Sequence, residues 1–168
     1  MNHPRQPGRP GHPAAPAETR TVDALQQAAR IQHRLRQGSS LAGTLVASFD
    51  AFEAIRLLAR GNEHRDPGLF AAFMMAADAA VDGREAITTS PSLPQATTPQ
   101  PAVSPATGAG LDDIADAMAS LAAQLAECLP RAAAMAKMPG DRAVCEQAAH
   151  AAGQIRQLMA RDDDSPLR

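Results

Sequence analysis

The sequence predicts an all-α protein of about five helices in two antiparallel helical hairpin modules, three helices and then two, joined by a proline-rich linker. Ten of the 14 prolines fall in two stretches, five in residues 1–20 and five in residues 86–110, and 38 of the 168 residues are alanine. Between and after these stretches, apolar residues recur at steps of three and four, as on one face of a helix. The pattern leaves open whether the two modules pack as one bundle.

Residues 1–20 form the first proline-rich stretch, which we expect to be a disordered tail. Its prolines recur at every third position, and Arg5 and Arg9 lie among them. Three residues is the period of a polyproline II helix, and PxxP segments with arginine are typical ligands of the aromatic grooves of SH3-type domains. A solvated low-complexity tail without a partner is the simpler interpretation.

The first helix is predicted to begin near Thr21 or Asp23 and to run to Gln37. Gly38 follows it, and glycine commonly ends helices because it adopts left-handed backbone angles without strain. Its inward stripe consists of Val22, Leu25, Ala28, Ile31 and Leu35.

The second helix is predicted to begin after Ser39 or Ser40 and to stop near Gly61. A serine hydroxyl at this position accepts a hydrogen bond from an unpaired N–H of the first turn. Its apolar stripe consists of Leu41, Leu45, Phe49, Phe52, Ile55 and Leu58 or Ala59.

The third helix is predicted from Pro67 to about Arg84, after a polar turn over residues 62–65. Asp66 would cap it, and proline is favoured at the first helical position because its missing N–H would be unpaired there anyway. A short turn makes the second and third helices an antiparallel hairpin and brings all four phenylalanines into one interface. We therefore expect a phenylalanine core in residues 21–85.

Residues 86–110 contain five prolines and no charged side chain, so we interpret them as a linker. Residues 111–160 then predict an alanine-rich hairpin. A heptad stripe runs to Cys128, Pro130 kinks or ends that helix, Pro139 and Gly140 reverse the chain, and Asp141 caps the last helix. The two stripes consist of Leu111, Ile114, Met118, Leu121, Leu125 and Cys128, and of Val144, Ala148, Ala151, Ile155 and Leu158 or Met159.

The alanine-rich hairpin is too poor in core residues to fold alone. Sixteen of its 50 residues are alanine and none is aromatic, and small domains with little apolar area are marginally stable. We expect it to dock on residues 21–85 or to pair with another copy. The side chains expected to carry this interaction are Leu121, Leu125, Ile155 and Leu158.

The charge balance argues against nucleic acid as the partner. The net charge is −2, and no segment has the basic excess that phosphate binding requires. Arg30, Arg34 and Arg36 nevertheless form a small basic face on the first helix. Phosphate contacts by these arginines define an alternative, a DNA-associated regulatory protein.

Asp112, Asp113 and Asp116 fit the DDxxD pattern and so resemble, over five residues, the magnesium-binding motif of isoprenoid-processing enzymes. Those enzymes are much larger and carry a second metal-binding motif, which this sequence lacks. Acidic residues in the first turn of a helix also favour the positive end of its dipole. We therefore expect no metal site here.

Two other polar clusters give no catalytic or metal-binding pattern. Cys128, Cys145 and His150 lack CxxC or HxxxH spacing, so we expect buried or half-buried free thiols. With a turn at residues 139–140 the two cysteines would stand about 9 Å apart along the hairpin, whereas a turn starting at Pro130 would bring them closer. The run of residues 63–66 contains Glu63, His64 and Asp66 without a nearby nucleophile, which is typical of a solvated turn.

The remaining features indicate a cytoplasmic protein. The N-terminus has no apolar region typical of a secretory signal, no run approaches the ~20 residues of a membrane span, and two cysteines suggest no disulfide framework. A single lysine among 16 basic residues, with abundant alanine, suggests a GC-rich bacterial genome. Residues 161–168 are expected to be a disordered acidic tail.

These observations predict a non-enzymatic protein that needs no cofactor. It would act through helix-mediated association with itself or as an adaptor for a protein partner, without contacting a membrane.

Overall fold

Five α-helices account for the regular structure of the residues described in the computed structural model, 17–95 and 108–160, with side chains described from Ala24 onward. This confirms the predicted all-α class and the number of helices. The helices are α1 (Ala17–Gln37), α2 (Leu41–Asn62), α3 (Phe70–Thr88), α4 (Leu111–Met135) and α5 (Pro139–Met159).

The two predicted modules pack as one bundle. Helices α2, α3, α5 and α4 form a ring in that order, each in contact with the next, and α1 lies against α2 and α4. The end of α3 meets the start of α5 through Ser90 and Asp141, and the end of α2 meets the start of α4 through Arg65 and Ala109. Neighbouring helices of the ring are therefore antiparallel.

The alanine-rich hairpin obtains its core from the first module. The stripe of α4 is fully buried against the other helices at Ile114, Met118, Leu121, Leu125 and Leu129. Burial of one such side chain is worth about 1.5–3 kcal/mol. Docking on the first module, one of the two expected solutions, thus supplies the apolar area that two helices alone lack.

The predicted start is correct for α2 and wrong for α1. Ser40 is the N-cap of α2, and its hydroxyl accepts a hydrogen bond of 3.1 Å from the Gly43 N–H, which confirms one of the two expected caps. By contrast, α1 begins at Ala17, so the boundaries at Thr21 or Asp23 were wrong. Residues 17–20 contain no proline or glycine and continue the helix towards the N-terminus.

The turn between α2 and α3 is longer than predicted. Asp66 does not cap α3, because its Oδ1 accepts a hydrogen bond of 2.7 Å from the Gly68 N–H within the turn, and the helix starts at Phe70. It also continues past Arg84 to Thr88, since Ala86 and Ile87 are buried. Residues 86–88 of the predicted linker are therefore helical.

The four phenylalanines expected in one core differ in burial. Phe52 and Phe73 are buried in the core, whereas Phe49 is half-buried and Phe70 is exposed. The Phe52 ring packs against Gly83 so closely that a Cβ on this glycine would lie 2.5 Å from two ring carbons. The phenylalanine core thus consists of two of the four rings.

Pro130 neither ends nor visibly divides α4, which runs on to Met135. The proline is exposed, while Leu129, Ala132 and Ala133 remain buried. Proline removes one backbone hydrogen bond and costs about 3 kcal/mol in a helix interior. The core contacts of the following turn compensate for this loss.

Asp141 is not the cap of α5. The helix begins at Pro139 with Met138 as N-cap, so Asp141 lies in the first turn, and its side chain is completely buried.

Both described ends of the predicted linker contact the bundle. Residues 89–95 follow α3 with Leu93 packed on the core, and Arg65 donates a hydrogen bond of 2.8 Å to the Ala109 carbonyl.

Candidate interaction site between α3 and α5

A groove runs between the antiparallel helices α3 and α5 on the face opposite α1. It comprises two cavities of about 480 and 350 Å³ that share Asp82 and Gln154. Both cavities are open to the surface. Together they form a continuous concave surface along α3 and α5.

The floor of the groove is apolar. Ala79 and Ala151 are buried between the helices, and their small side chains leave space above them. At one end, Met75 exposes 53 % of its surface beside the half-buried Leu158. A thioether that adapts to irregular surfaces is common where a protein binds a partner.

The α3 wall of the groove is acidic. Asp78, Asp82 and Glu85 follow each other at steps of four and three residues, so they share one face of the helix. Asp78 pairs with Arg60 at 2.7 Å, whereas Asp82 and Glu85 form no ion pair with another described residue. This wall therefore has carboxylates available for a cationic ligand.

The α5 wall is polar and carries amides and one imidazole. Its side chains are Gln147, His150, Gln154 and Gln157. Nε2 of His150 lies 3.2 Å from Nε2 of Gln154, so one side chain of the wall already engages another. The three glutamine amides carry no charge, so they do not neutralise the acidic wall.

Of the four leucine and isoleucine residues expected to carry an interaction, the structure places only Leu158 on a surface. Leu121, Leu125 and Ile155 are fully buried, and they hold the two modules of the same chain together. They are not available to another molecule in this fold. Leu158 lines the groove.

The basic face of α1 is smaller than the sequence indicated. Arg30 and Arg36 are exposed, but the Arg34 guanidinium pairs with the Asp50 carboxylate of α2. That pair ties α1 to α2. Two arginines therefore remain for a phosphate contact.

The Asp112 motif lies in the first turns of α4, and its carboxylates are exposed. Among the described residues, no group of three or more His, Cys, Asp or Glu side chains is placed to hold a metal ion.

Glu63 and His64 lie on the turn before α3, where Oε1 of Glu63 is 3.4 Å from Nε2 of His64. The His64 ring stacks on Phe70 with centroids 5.4 Å apart.

Both cysteines are buried free thiols, as predicted, but their relative position differs from the prediction. Because α4 ends at Met135 and α5 begins at Pro139, counting back along the hairpin brings Cys128 and Cys145 to about the same level. Burial raises the pKa of Cys128, and burial with the nearby Asp141 raises that of Cys145 to about 11. Both thiols are thus protonated at neutral pH.

Sequence reasoning missed the groove. The i, i+4, i+7 spacing of Asp78, Asp82 and Glu85 is visible in the sequence and indicates one acidic helix face. That this face borders the glutamines of α5 follows only from the packing of the two modules, which the sequence left open.

None of the described helices is long and apolar enough to cross a membrane.

Comparisons with known proteins do not place the chain in a family. No family model and no curated protein matches the sequence, and no solved structure matches the fold.

Proposed function

We propose that this protein acts without catalysis, by binding a positively charged protein segment in the groove between α3 and α5. The supporting observation is the combination of apolar surface at Met75 and Leu158 with two carboxylates, Asp82 and Glu85, that form no ion pair with another described residue. The association is helix-mediated, because α3 and α5 supply every lining residue except Thr89.

Charge and apolar area have separate roles in this proposal. Contact with Met75 and Leu158 removes apolar surface from water, which supplies the binding free energy. Asp82 and Glu85 select arginine or lysine and orient the segment, because exposed ion pairs contribute little affinity but discriminate strongly between charges.

A non-catalytic role agrees with the state of the two thiols. Cys128 and Cys145 are buried and protonated at neutral pH, whereas a nucleophilic cysteine reacts as an accessible thiolate. Free thiols also agree with a reducing compartment, so we propose a cytoplasmic location.

Photocrosslinking from the groove tests the proposal. p-Benzoylphenylalanine, incorporated in place of Gln157 in the full chain, is activated in cells that express the protein naturally. We expect a crosslinked product of discrete mass, and we expect it to be lost when Asp82→Asn and Glu85→Gln are added.

The matched control carries the same photoreactive residue at Ser120, an exposed position on α4 away from the groove. It should give no such product. A product whose yield is the same at both positions, or is unchanged by removal of the two carboxylates, would contradict the proposed function.

A second candidate is a DNA-associated regulatory protein that uses α1. The exposed positions of Arg30 and Arg36 favour it. The test is a duplex DNA shift assay at low salt, in which Arg30→Ala with Arg36→Ala should abolish the shift. Absence of a shift by the unsubstituted chain rejects this candidate.

A further inference from the structure

We infer that the groove between α3 and α5 is occupied by residues 1–16 of a second copy of this chain. The inference names the partner of the proposed site and rests on the proposed function. The resulting assembly is a dimer in which each copy inserts its proline-rich segment into the groove of the other.

Charge selects this segment among the parts of the chain outside the described residues. Residues 1–16 carry Arg5 and Arg9 and no acidic side chain, residues 96–107 carry no charge, and residues 161–168 contain three consecutive aspartates. Only the first of these three segments complements an acidic wall. Its prolines also supply apolar surface for contact with Met75 and Leu158, with little conformational entropy to lose.

Two arginines are present for two carboxylates. Asp82 and Glu85, which form no ion pair with another described residue, are three steps apart on α3, about 4.5 Å along the helix axis. Arg5 and Arg9 are four residues apart in the sequence, so their long, flexible side chains converge on this pair.

The position of α1 favours a second copy over the same chain. Helix α1 lies on α2 and α4, so the α2–α4 layer and the α3–α5 layer separate it from the groove. Eight residues from Ala17 to Arg9 span at most about 29 Å when fully extended. Two helix layers are already about 20 Å thick, and the path must run around them, so most of this length is used before Arg9 reaches its own groove.

Exchange between two copies removes this restriction and fills both grooves. The same pair of surfaces is used twice, as in a closed dimer with twofold symmetry. Neither groove and neither proline-rich segment remains unoccupied, so the assembly stops at two copies.

Sedimentation equilibrium of the full chain over a range of concentrations tests the inference. We expect the mass to rise from monomer to dimer. Because the pairs are exposed to solvent, the dissociation constant should increase on the order of tenfold between 50 and 500 mM NaCl. A chain that stays monomeric at all concentrations, or a mass that continues beyond dimer, overturns the inference.

A charge-swap mixture identifies the contacts. One variant carries Arg5→Glu and Arg9→Glu, and the other carries Asp82→Arg and Glu85→Arg. Each alone should be monomeric, because its segment and its groove then have the same charge. Their equimolar mixture should dimerise, since each segment now matches the groove of the other variant.

Two controls keep the outcome specific. Arg30→Glu with Arg36→Glu on α1 changes charge by the same amount and should leave the dimer intact. If the groove variant loses helical circular dichroism, Asp82→Asn with Glu85→Gln replaces it and should still weaken dimerisation. A mixture that remains monomeric when both variants are folded contradicts the inference.

The two proposals fail in different ways. A monomeric chain that still gives a charge-dependent crosslink from position 157 to another protein refutes the second copy but retains the groove. Loss of every charge-dependent crosslink refutes the groove itself.

Discussion

The Ser90 hydroxyl, just after α3, donates a hydrogen bond of 2.5 Å to the carboxylate of Asp141 in the first turn of α5. The hydroxyl and the backbone N–H of Ser92 donate two more, at 2.6 and 3.2 Å. Burial by itself raises the pKa of Asp141, but these three hydrogen bonds hold it below its ordinary value. The charged carboxylate therefore ties the end of the first module to the start of the last helix.

Removal of this charge should destabilise the fold. We expect Asp141→Asn to lower the free energy of unfolding by about 1–3 kcal/mol, because an amide cannot accept all three hydrogen bonds and a buried donor is left unpaired. Urea unfolding followed by circular dichroism measures the change. Asp82→Asn, at an exposed site, is the matched control and should stay within about 0.5 kcal/mol; equal effects of the two substitutions would refute this account.

The same contact predicts part of the acid dependence of stability. The pKa of Asp141 is lower in the folded state than its ordinary value of 3.8, so the unfolded chain binds this proton more tightly. Its contribution is present above pH 3.8 and is lost as the pH falls through the lower, folded-state value. Unfolding free energies between pH 7 and pH 2.5 should therefore fall less steeply below about pH 4 in Asp141→Asn than in the unsubstituted chain. Parallel curves contradict the prediction.

Close packing at Gly83 predicts an unfavourable response to a single methyl group. Alanine there would place its Cβ 2.5 Å from the ring of Phe52, which is completely buried, so the ring or the helix must shift. We expect Gly83→Ala to cost about 1–3 kcal/mol in thermal or urea unfolding, despite the better helix propensity of alanine.

Gly153 in α5 is the matched control for Gly83. A Cβ at this helical position meets no atom within 4 Å, so only propensity acts. Gly153→Ala should stabilise the protein by about 0.5–1 kcal/mol. Stabilisation by both substitutions would show that the Phe52 ring moves aside.

Pro130 offers a gain in stability. It is exposed inside a helix that continues on both sides, so alanine restores a backbone hydrogen bond without disturbing the core. Pro130→Ala should raise the free energy of unfolding by about 1–3 kcal/mol. Pro139→Ala, at the first position of α5, should give little change, because proline costs nothing there. A loss of stability in Pro130→Ala would mean that the fold requires a distortion at this point.

The two thiols should be protected in the folded protein. Both are buried, and the pKa of Cys145 is raised to about 11, so little thiolate exists at pH 8. We expect reaction with iodoacetamide at pH 8 to be at least about a hundredfold slower than in 6 M guanidinium, where a thiol titrates near pH 8.5. Mass spectrometry counts the modified thiols, and equal rates in the two conditions would disprove the burial.

Local signals in the sequence were reliable where neighbouring residues suffice. Apolar spacing located all five helices, and the cap of α2 was predicted as Ser39 or Ser40 because a hydroxyl three residues before Gly43 needs no distant partner. The prediction that Asp141 caps α5 was wrong because it, too, used only neighbouring residues. An aspartate after a Pro-Gly pair resembles a cap, but its actual donors, Ser90 and Ser92, lie about 50 residues away in sequence.

The candidate site shows the same division. The acidic spacing of α3 is local, yet nothing near it in sequence indicates that Gln154 and Leu158 form the opposite wall. Conversely, an apolar stripe predicts that a helix face is buried, but it does not identify the surface that covers it. The stripes therefore suggested an interaction surface at Leu121, Leu125 and Ile155.

By itself, the sequence determined that this is a helical protein and where its apolar faces lie, and it predicted that its last two helices need a packing partner, because helix formation and amphipathicity depend on residues a few positions apart. Only the tertiary structure decided that the partner is the first module of the same chain and that the exposed groove lies between α3 and α5. The physical reason is that burial of apolar area is non-directional: the stripe of α4 gains similar free energy against any complementary surface, and the assembled bundle selects which one.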